Sequence, residues 1–226
     1  MKRVLMAFSV AVAFALMAGS APAQVMSPVL VKMEQAGRNL KSLQAGIAQE
    51  KIDRTLGVKE NSVGTLFYKA AAPGNERVLL QYTQPIPETV SVVGDKVTIY
   101  QPRINQLFLT SRQASANKNR SINFIGLGYS EAAAELRDRY DITILGDDKI
   151  NGRPATMIQL DPKNKAEGIQ SMMLWVDHQT WLPAQYFVIE KGSKTTITLS
   201  AMQPNIPMPD SKFEISYPKD VKVVRG

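Results

Sequence analysis

Trp175-Val176-Asp177-His178-Gln179-Thr180-Trp181-Leu182-Pro183-Ala184-Gln185 is the stretch whose reading decides the fold. It holds both tryptophans and the only histidine of the chain. An apolar segment, Ile169 to Val176, precedes it, and a second, Ala184 to Glu190, follows. Polar residues and then Pro183 break the apolar run between them, as a hairpin connection requires. The stretch is either a catalytic corner or a plain turn in a large curved sheet, and the choice separates an enzyme from a binding protein.

The chemistry argues for the turn. Ser-His-Asp catalysis would need His178 itself, with Asp177 adjacent in sequence and pointing away from it. A metal site built on His178 lacks any H-E-x-x-H or H-x-H spacing, and the chain has no cysteine. Glu131, Glu135 and Asp138 share a helical face, but Arg137 and Arg139 offset them, so they read as a solvated face rather than an acid–base pair. Gly146-Asp147-Asp148-Lys149-Ile150-Asn151-Gly152 lacks the alternating oxygen ligands of a calcium loop and reads as a turn before a strand. Gly126-Leu127-Gly128 has no third glycine for a dinucleotide motif. The expectation is no catalytic residue, no metal and no cofactor.

Working outward, short segments of period two succeed one another: Ile47–Thr55, Ser62–Lys69, Arg77–Tyr82, Thr89–Val93, Lys96–Tyr100 and Asn105–Thr110, then Tyr140–Leu145, Ala155–Leu160, Ile169–Val176, Ala184–Glu190, Thr195–Met202 and a short end strand at Val221–Val224. Gly94-Asp95 is a tight hairpin turn. Short connections give antiparallel pairing and not βαβ units, so the expected fold is one antiparallel sheet of about ten strands that curls toward a barrel. In Ile169–Asp177 both faces are apolar, with Met172, Leu174 and Val176 on one and Ile169, Met173 and Trp175 on the other. One side of the curled sheet is interior; the other could be covered by a helix or a partner. Met157, Met172, Met173, Met202 and Met208 crowd this half. They fill a core, or they line a plastic apolar cavity.

Helices flank the sheet. Ser27 and Pro28 suit the start of one, in which Leu30, Met33 and Leu40 recur at helical spacing, and it is read as extending to Leu43. A second, Glu131 to about Arg139, follows the apolar Ile122-Asn123-Phe124-Ile125-Gly126-Leu127. At the N-terminus, Lys2 and Arg3 precede an uncharged apolar run from Val4 to Ala18 and an Ala21-Pro22-Ala23 site. That is the pattern of a signal peptide over residues 1–23, leaving one domain over 24–226. Cleavage there removes two of the +7 formal charges, leaving +5. The expected location is the periplasm. Nucleic acid is not an expected partner there, and anionic lipid or an acidic protein patch fits better.

The ordered pieces Gly64-Thr65-Leu66-Phe67-Tyr68-Lys69, Arg77-Val78-Leu79-Leu80-Gln81-Tyr82, Gly94-Asp95-Lys96-Val97-Thr98-Ile99-Tyr100-Gln101-Pro102 with Gln106, Leu174-Trp175-Val176-Asp177 with Leu182-Pro183, and Phe213-Glu214-Ile215 with Tyr217-Pro218-Lys219-Asp220-Val221 resemble the LolA family of periplasmic lipoprotein carriers, across most of residues 27–225. The resemblance implies an unclosed antiparallel β-barrel of about eleven strands with lid helices enclosing an apolar cavity. It implies a non-enzymatic, monomeric carrier that takes lipoprotein acyl chains from an inner-membrane ABC-type release complex to an outer-membrane lipoprotein receptor. The absence of cysteine favours the carrier over the lipidated receptor. By strand alternation the expected cavity residues are Val78, Leu80, Tyr82, Val97, Ile99, Met172, Leu174, Phe187 and Ile189; a one-residue slip would exchange any set for its neighbours. The lid residues are Leu30, Met33, Leu40, Phe124 and Leu127, and Arg77 is the candidate for the arginine that latches the lid in the family. A protein-binding module that senses lipoprotein or envelope stress, or a carrier of another lipid, would use the same scaffold.

Energetics limit such a carrier. Each buried methylene contributes ~0.8 kcal/mol, so three chains of ~16 carbons would total ~38 kcal/mol, beyond the ~18–21 kcal/mol ceiling of non-covalent affinity. The chains are therefore partly enclosed, or lid contacts compete with them.

Overall fold

A computed structural model describes residues 27–72, 75–116, 129, 133–164 and 168–226. The chain order is α1 (Pro28–Asn39), β1 (Ser42–Asp53), β2 (Lys59–Lys69), β3 (Arg77–Gln84), β4 (Glu88–Val93), β5 (Lys96–Gln101), β6 (Gln106–Ser111), α2 (Arg112–Ala116), α3 (Ala133–Arg139), β7 (Tyr140–Ile150), β8 (Arg153–Pro162), β9 (Ile169–Asp177), β10 (Pro183–Glu190), β11 (Ser193–Pro204) and β12 (Lys222–Arg225). All twelve segments of period two become strands of one sheet, ordered β12-β6-β5-β4-β3-β2-β1-β11-β10-β9-β8-β7. The sheet does not close, because β12 and β7 are its two edges. It departs from expectation in two respects. It has twelve strands where about eleven were expected, and β12 pairs with β6 in parallel while every other pair is antiparallel.

Two meanders, β1–β6 and β7–β11, are joined where β1 pairs with β11, from Leu43↔Pro204 to Asp53↔Ser193. The register defines the concave face. Val78, Leu80 and Tyr82 of β3 stand opposite Tyr68, Leu66 and Gly64 of β2 and opposite Val92, Val90 and Glu88 of β4. Leu174 and Met172 of β9 pair with Ile158 and Leu160 of β8 and with Tyr186 and Val188 of β10. These apolar residues form one buried core with Leu43, Ile47, Ile197 and Leu199. Gly64 is the tight spot of this face: a Cβ there would lie 2.0 Å from the Gln81 carbonyl oxygen.

Helix α1 covers the core. Pro28 sits at its start, where a missing N–H costs nothing, and the Ser27 carbonyl accepts from Leu30 and Val31. The Ser27 side chain makes no capping bond, and the helix stops at Asn39 rather than Leu43 because β1 begins at Ser42. Val29, Leu30 and Met33, at spacings of one, three and four, present one buried stripe to the sheet. Leu136 of α3 and Tyr129 join the same core. Gly146 to Ile150 also departs from expectation. It is part of β7 beyond a bulge at Ile144/Gly146, and the turn comes later, at Asn151 and Gly152, both with positive φ.

The convex face has its own small cluster. Phe67 and Leu79 pack under Phe213, with Met208 and Ile215 beside them. The chain after β11 is strapped there by Ser91, whose hydroxyl donates to the Phe213 carbonyl at 2.5 Å, and by Asp210, which pairs with Lys69 at 2.6 Å and Arg77 at 3.1 Å. The bond from Lys69 and the charge of Arg77 hold the Asp210 carboxyl below its ordinary value of 3.8. A folded-state value below the unfolded one gives a contribution that is present above pH ~4 and lost as pH falls through the lowered value. The protection factors of the amides over residues 205–215, with the intrinsic pH dependence of exchange divided out, are therefore expected to fall in acid, and Asp210→Asn is expected to remove that fall.

Candidate binding site in the concave face

Along β1 and β2 the concave face changes character. Near α1 it is apolar, through Leu43, Ala45, Ile47, Leu66 and Tyr68. Toward the other end the same alternation places Gln49 and Lys51 on β1 and Ser62 and Glu60 on β2. There the face opens as a half-enclosed cleft of about 810 Å³, with Leu80 and Val90 as its floor and Tyr82, Glu88, Gln101, Ile86 and Ile104 among its walls. That volume lies within the ~300–1,000 Å³ typical of small-molecule sites. Tyr82 donates to Gln49 at 2.9 Å, and Gln101 donates to Glu88 at 2.7 Å. Burial, with the Glu88 charge second, pushes the Tyr82 phenol well above its usual range, so it stays a neutral donor. The arrangement can enclose an apolar chain and hydrogen-bond a polar end. Among the described residues no group of three or more His, Asp or Glu side chains is placed to hold a metal.

The expected cavity residues divide. Val78, Leu80, Val97, Met172 and Leu174 are buried on the concave face, with Tyr82 and Ile99 packed against it. Phe187 and Ile189 are not on it. They pair with Met173 and Ser171 on the convex face, and the concave positions of β10 belong to Tyr186 and Val188. The reason is that β10 is apolar on both faces, so alternation alone could not choose between them. Leu30, Met33 and Leu40 are buried against the concave core, whereas Phe124 and Leu127 lie outside the described residues. Arg77 is a second correction. It sits on the convex face, paired with Asp210, and so cannot reach α1 to latch it.

The Trp175–Gln185 stretch supplies the α1 tie that Arg77 does not. Asp177 is fully buried, and its Oδ1 accepts from the Gln179 and Thr180 amides and the Thr180 hydroxyl, which folds the turn. His178 meets the Thr156 hydroxyl at 2.8 Å and stacks on Trp181, ring centroids 5.0 Å apart. Lys32 of α1 places its ammonium 4.0 Å from the centre of the Trp181 ring. Tyr129 adds a bond from its hydroxyl to the Pro183 carbonyl at 3.1 Å and an edge contact with Tyr68. A cation–π contact of this kind contributes about 1 kcal/mol. Lys32→Ala is thus expected to loosen α1 and raise the affinity of an apolar fluorescent probe about fivefold, read by titration. No sequence pattern announces this pairing, because its partners are some 150 residues apart along the chain.

Among the described residues, then, an open sheet curves round an apolar interior that α1 covers. The chain belongs to the LolA family: the family model described as outer membrane lipoprotein carrier protein LolA matches residues 38–216. No curated protein matches it in sequence. Among solved structures it is similar to an uncharacterized conserved protein of Thermus thermophilus, with TM-score 0.56 and 14% identity over 88% of this chain and 97% of that one. It is also similar to MucB, with TM-score 0.54 and 16% identity over 87% of this chain and 64% of MucB, so it spans less than two thirds of that protein. MucB in the Pseudomonas aeruginosa MucA/MucB complex gives TM-score 0.50 and 15% identity over 87% of this chain and 62% of that one. At such identities the shared property is the fold.

Proposed function

We propose that the protein is a non-enzymatic periplasmic carrier that holds lipoprotein acyl chains against its concave face and delivers them between membranes. Residues 1–23 are the export signal in this reading, and 24–226 the monomeric carrier domain. The observation that carries it is the roof: among the described residues the apolar face of a twelve-stranded sheet is covered by the 12-residue helix α1, with Tyr129, and Leu136 of α3, beside it, and continues into an open cleft. The share of that roof that α1 supplies rests on three buried side chains, Val29, Leu30 and Met33, and is displaceable. Burying each is worth about 1.5–3 kcal/mol, of the same order as burying a few methylenes of a chain that replaces them. Empty, the helix protects the face; loaded, acyl chains take its place, and the competition keeps net affinity low enough for release. Cargo would arrive from an ABC-type inner-membrane complex and leave to an outer-membrane receptor.

The test is displacement of a fluorescent acyl probe. Leu80→Asn, on the cleft floor, is expected to weaken binding tenfold or more, and the milder Val90→Thr severalfold, with circular dichroism confirming the fold. Unchanged affinity in both folded variants contradicts the proposal. A second reading, a protein-binding sensor, is favoured by the MucA/MucB complex formed on this scaffold. It predicts a protein partner captured without lipid.

A further inference from the structure

Strand register puts the β1–β2, β3–β4, β5–β6 and β10–β11 turns at the same end of the sheet, and they follow one another along its edge about 10 Å apart. The cleft opens at this end, since Ile86, Arg103 and Ile104 of these turns are in its wall. Exposed aliphatic side chains concentrate there. Leu56 is 75% exposed, Ile104 54%, Ile86 49% and Val58 48%, above every other large aliphatic residue described. Leu56 is held out by a structured turn. The Asp53 carboxylate accepts from the Thr55 and Leu56 amides at 2.8 and 2.9 Å, and Gly57 closes the turn onto the Asp53 carbonyl. Those bonds hold the Asp53 carboxyl below its usual range. Arg54 donates its amide to Gly192 at 2.9 Å, which sets Lys191 beside it. Arg54, Lys59, Arg103 and Lys191 are exposed around these tips; Glu60 is exposed among them, and Glu50 and Asp53 are partly exposed. Lys59 shares its charge with Glu50 at 2.6 Å.

The geometry points to this rim as a docking surface for an anionic lipid bilayer, with Leu56, Val58, Ile86 and Ile104 entering the headgroup region and Arg54, Arg103 and Lys191 meeting lipid phosphates. Apolar tips with Arg54, Arg103 and Lys191 exposed beside them match a bilayer interface, whose outer layer is negative and whose next layer is apolar. Docked this way, the cleft mouth faces the membrane surface at which a membrane-bound donor or receptor hands over an acyl chain. The purpose of the docking rests on the carrier reading; the docking itself is measured separately.

The experiment is co-sedimentation of the mature chain with vesicles of phosphatidylethanolamine and phosphatidylglycerol, against phosphatidylcholine vesicles. Binding is expected to the anionic vesicles and to fall with added salt. The double variant Leu56→Asp, Arg54→Gln is expected to bind about fiftyfold more weakly, roughly tenfold from the lost leucine and fivefold from the lost cation. Val93→Asp, exposed at the opposite end of the sheet, is expected to bind as the parent does. No binding of the parent to anionic vesicles, or equal loss in Val93→Asp, overturns the proposal, as does a protein partner held at the rim without vesicle affinity. The acyl-probe titration on the same proteins keeps the readings apart. Vesicle binding without probe uptake defeats the carrier reading alone, and probe uptake without vesicle binding defeats the docking alone.

Discussion

Gly64→Ala is expected to destabilise the protein by about 4 kcal/mol or to prevent folding. The added Cβ would stand 2.0 Å from the Gln81 carbonyl oxygen and 2.8 Å from the Tyr82 Cα, and both are backbone atoms of the adjoining strand. A flexible side chain could move aside; a paired strand cannot without breaking its ladder. The approach is close because the β2–β3 register shifts between Val63 and Gly64, bringing Gly64 opposite Tyr82 on the concave face. Chemical denaturation of Gly64→Ala beside Gly46→Ala checks it. At Gly46 the nearest obstacle is the movable Ser200 hydroxyl at 2.7 Å, so that variant is expected to lose far less. Equal losses would contradict the account of β2.

Asp177→Ala is expected to cost about 3 kcal/mol, because it removes three turn hydrogen bonds and the partner of a cation at once. Oδ1 organises the Gln179–Thr180 turn, and Oδ2 lies 2.8 Å from the Arg153 Nε. Arg153 is partly solvent-exposed, which screens the loss and sets the lower end of the range for a broken buried pair. Asp177→Asn keeps an acceptor for the turn and is expected to recover about half of the loss. Denaturation midpoints with unchanged slope measure both. Since this turn carries Trp181, Asp177→Ala should also weaken the Lys32 contact that ties α1 to the sheet.

The strands were legible because polar and apolar residues alternate in most of them. Val78-Leu79-Leu80-Gln81-Tyr82 also illustrates where alternation stops helping. Its even-handed neighbour, Leu79, is buried as well, but beneath Phe213 on the convex face, where the C-terminal strap returns. The same alternation that turns Val78 inward turns Arg77 outward, so the latch candidate was at odds with the sheet's own periodicity. In β10, Tyr186, Phe187, Val188 and Ile189 are apolar in succession, and only pairing with β9 shows which face is interior. Register between distant strands is a tertiary property with no local signal. The polar side of the cleft was missed for a related reason. Gln49, Ser62, Glu88 and Gln101 look like solvent-facing positions until the curl of the sheet turns them toward one another.

The central claim is that the concave face carries acyl chains. Native mass spectrometry of the protein purified from its own cells tests it most directly. The account predicts a population whose added mass is an acylated lipoprotein or lipid, released by detergent and reduced in Leu80→Asn. A protein that carries no lipid, or that carries a polypeptide partner free of acyl chains, would contradict it.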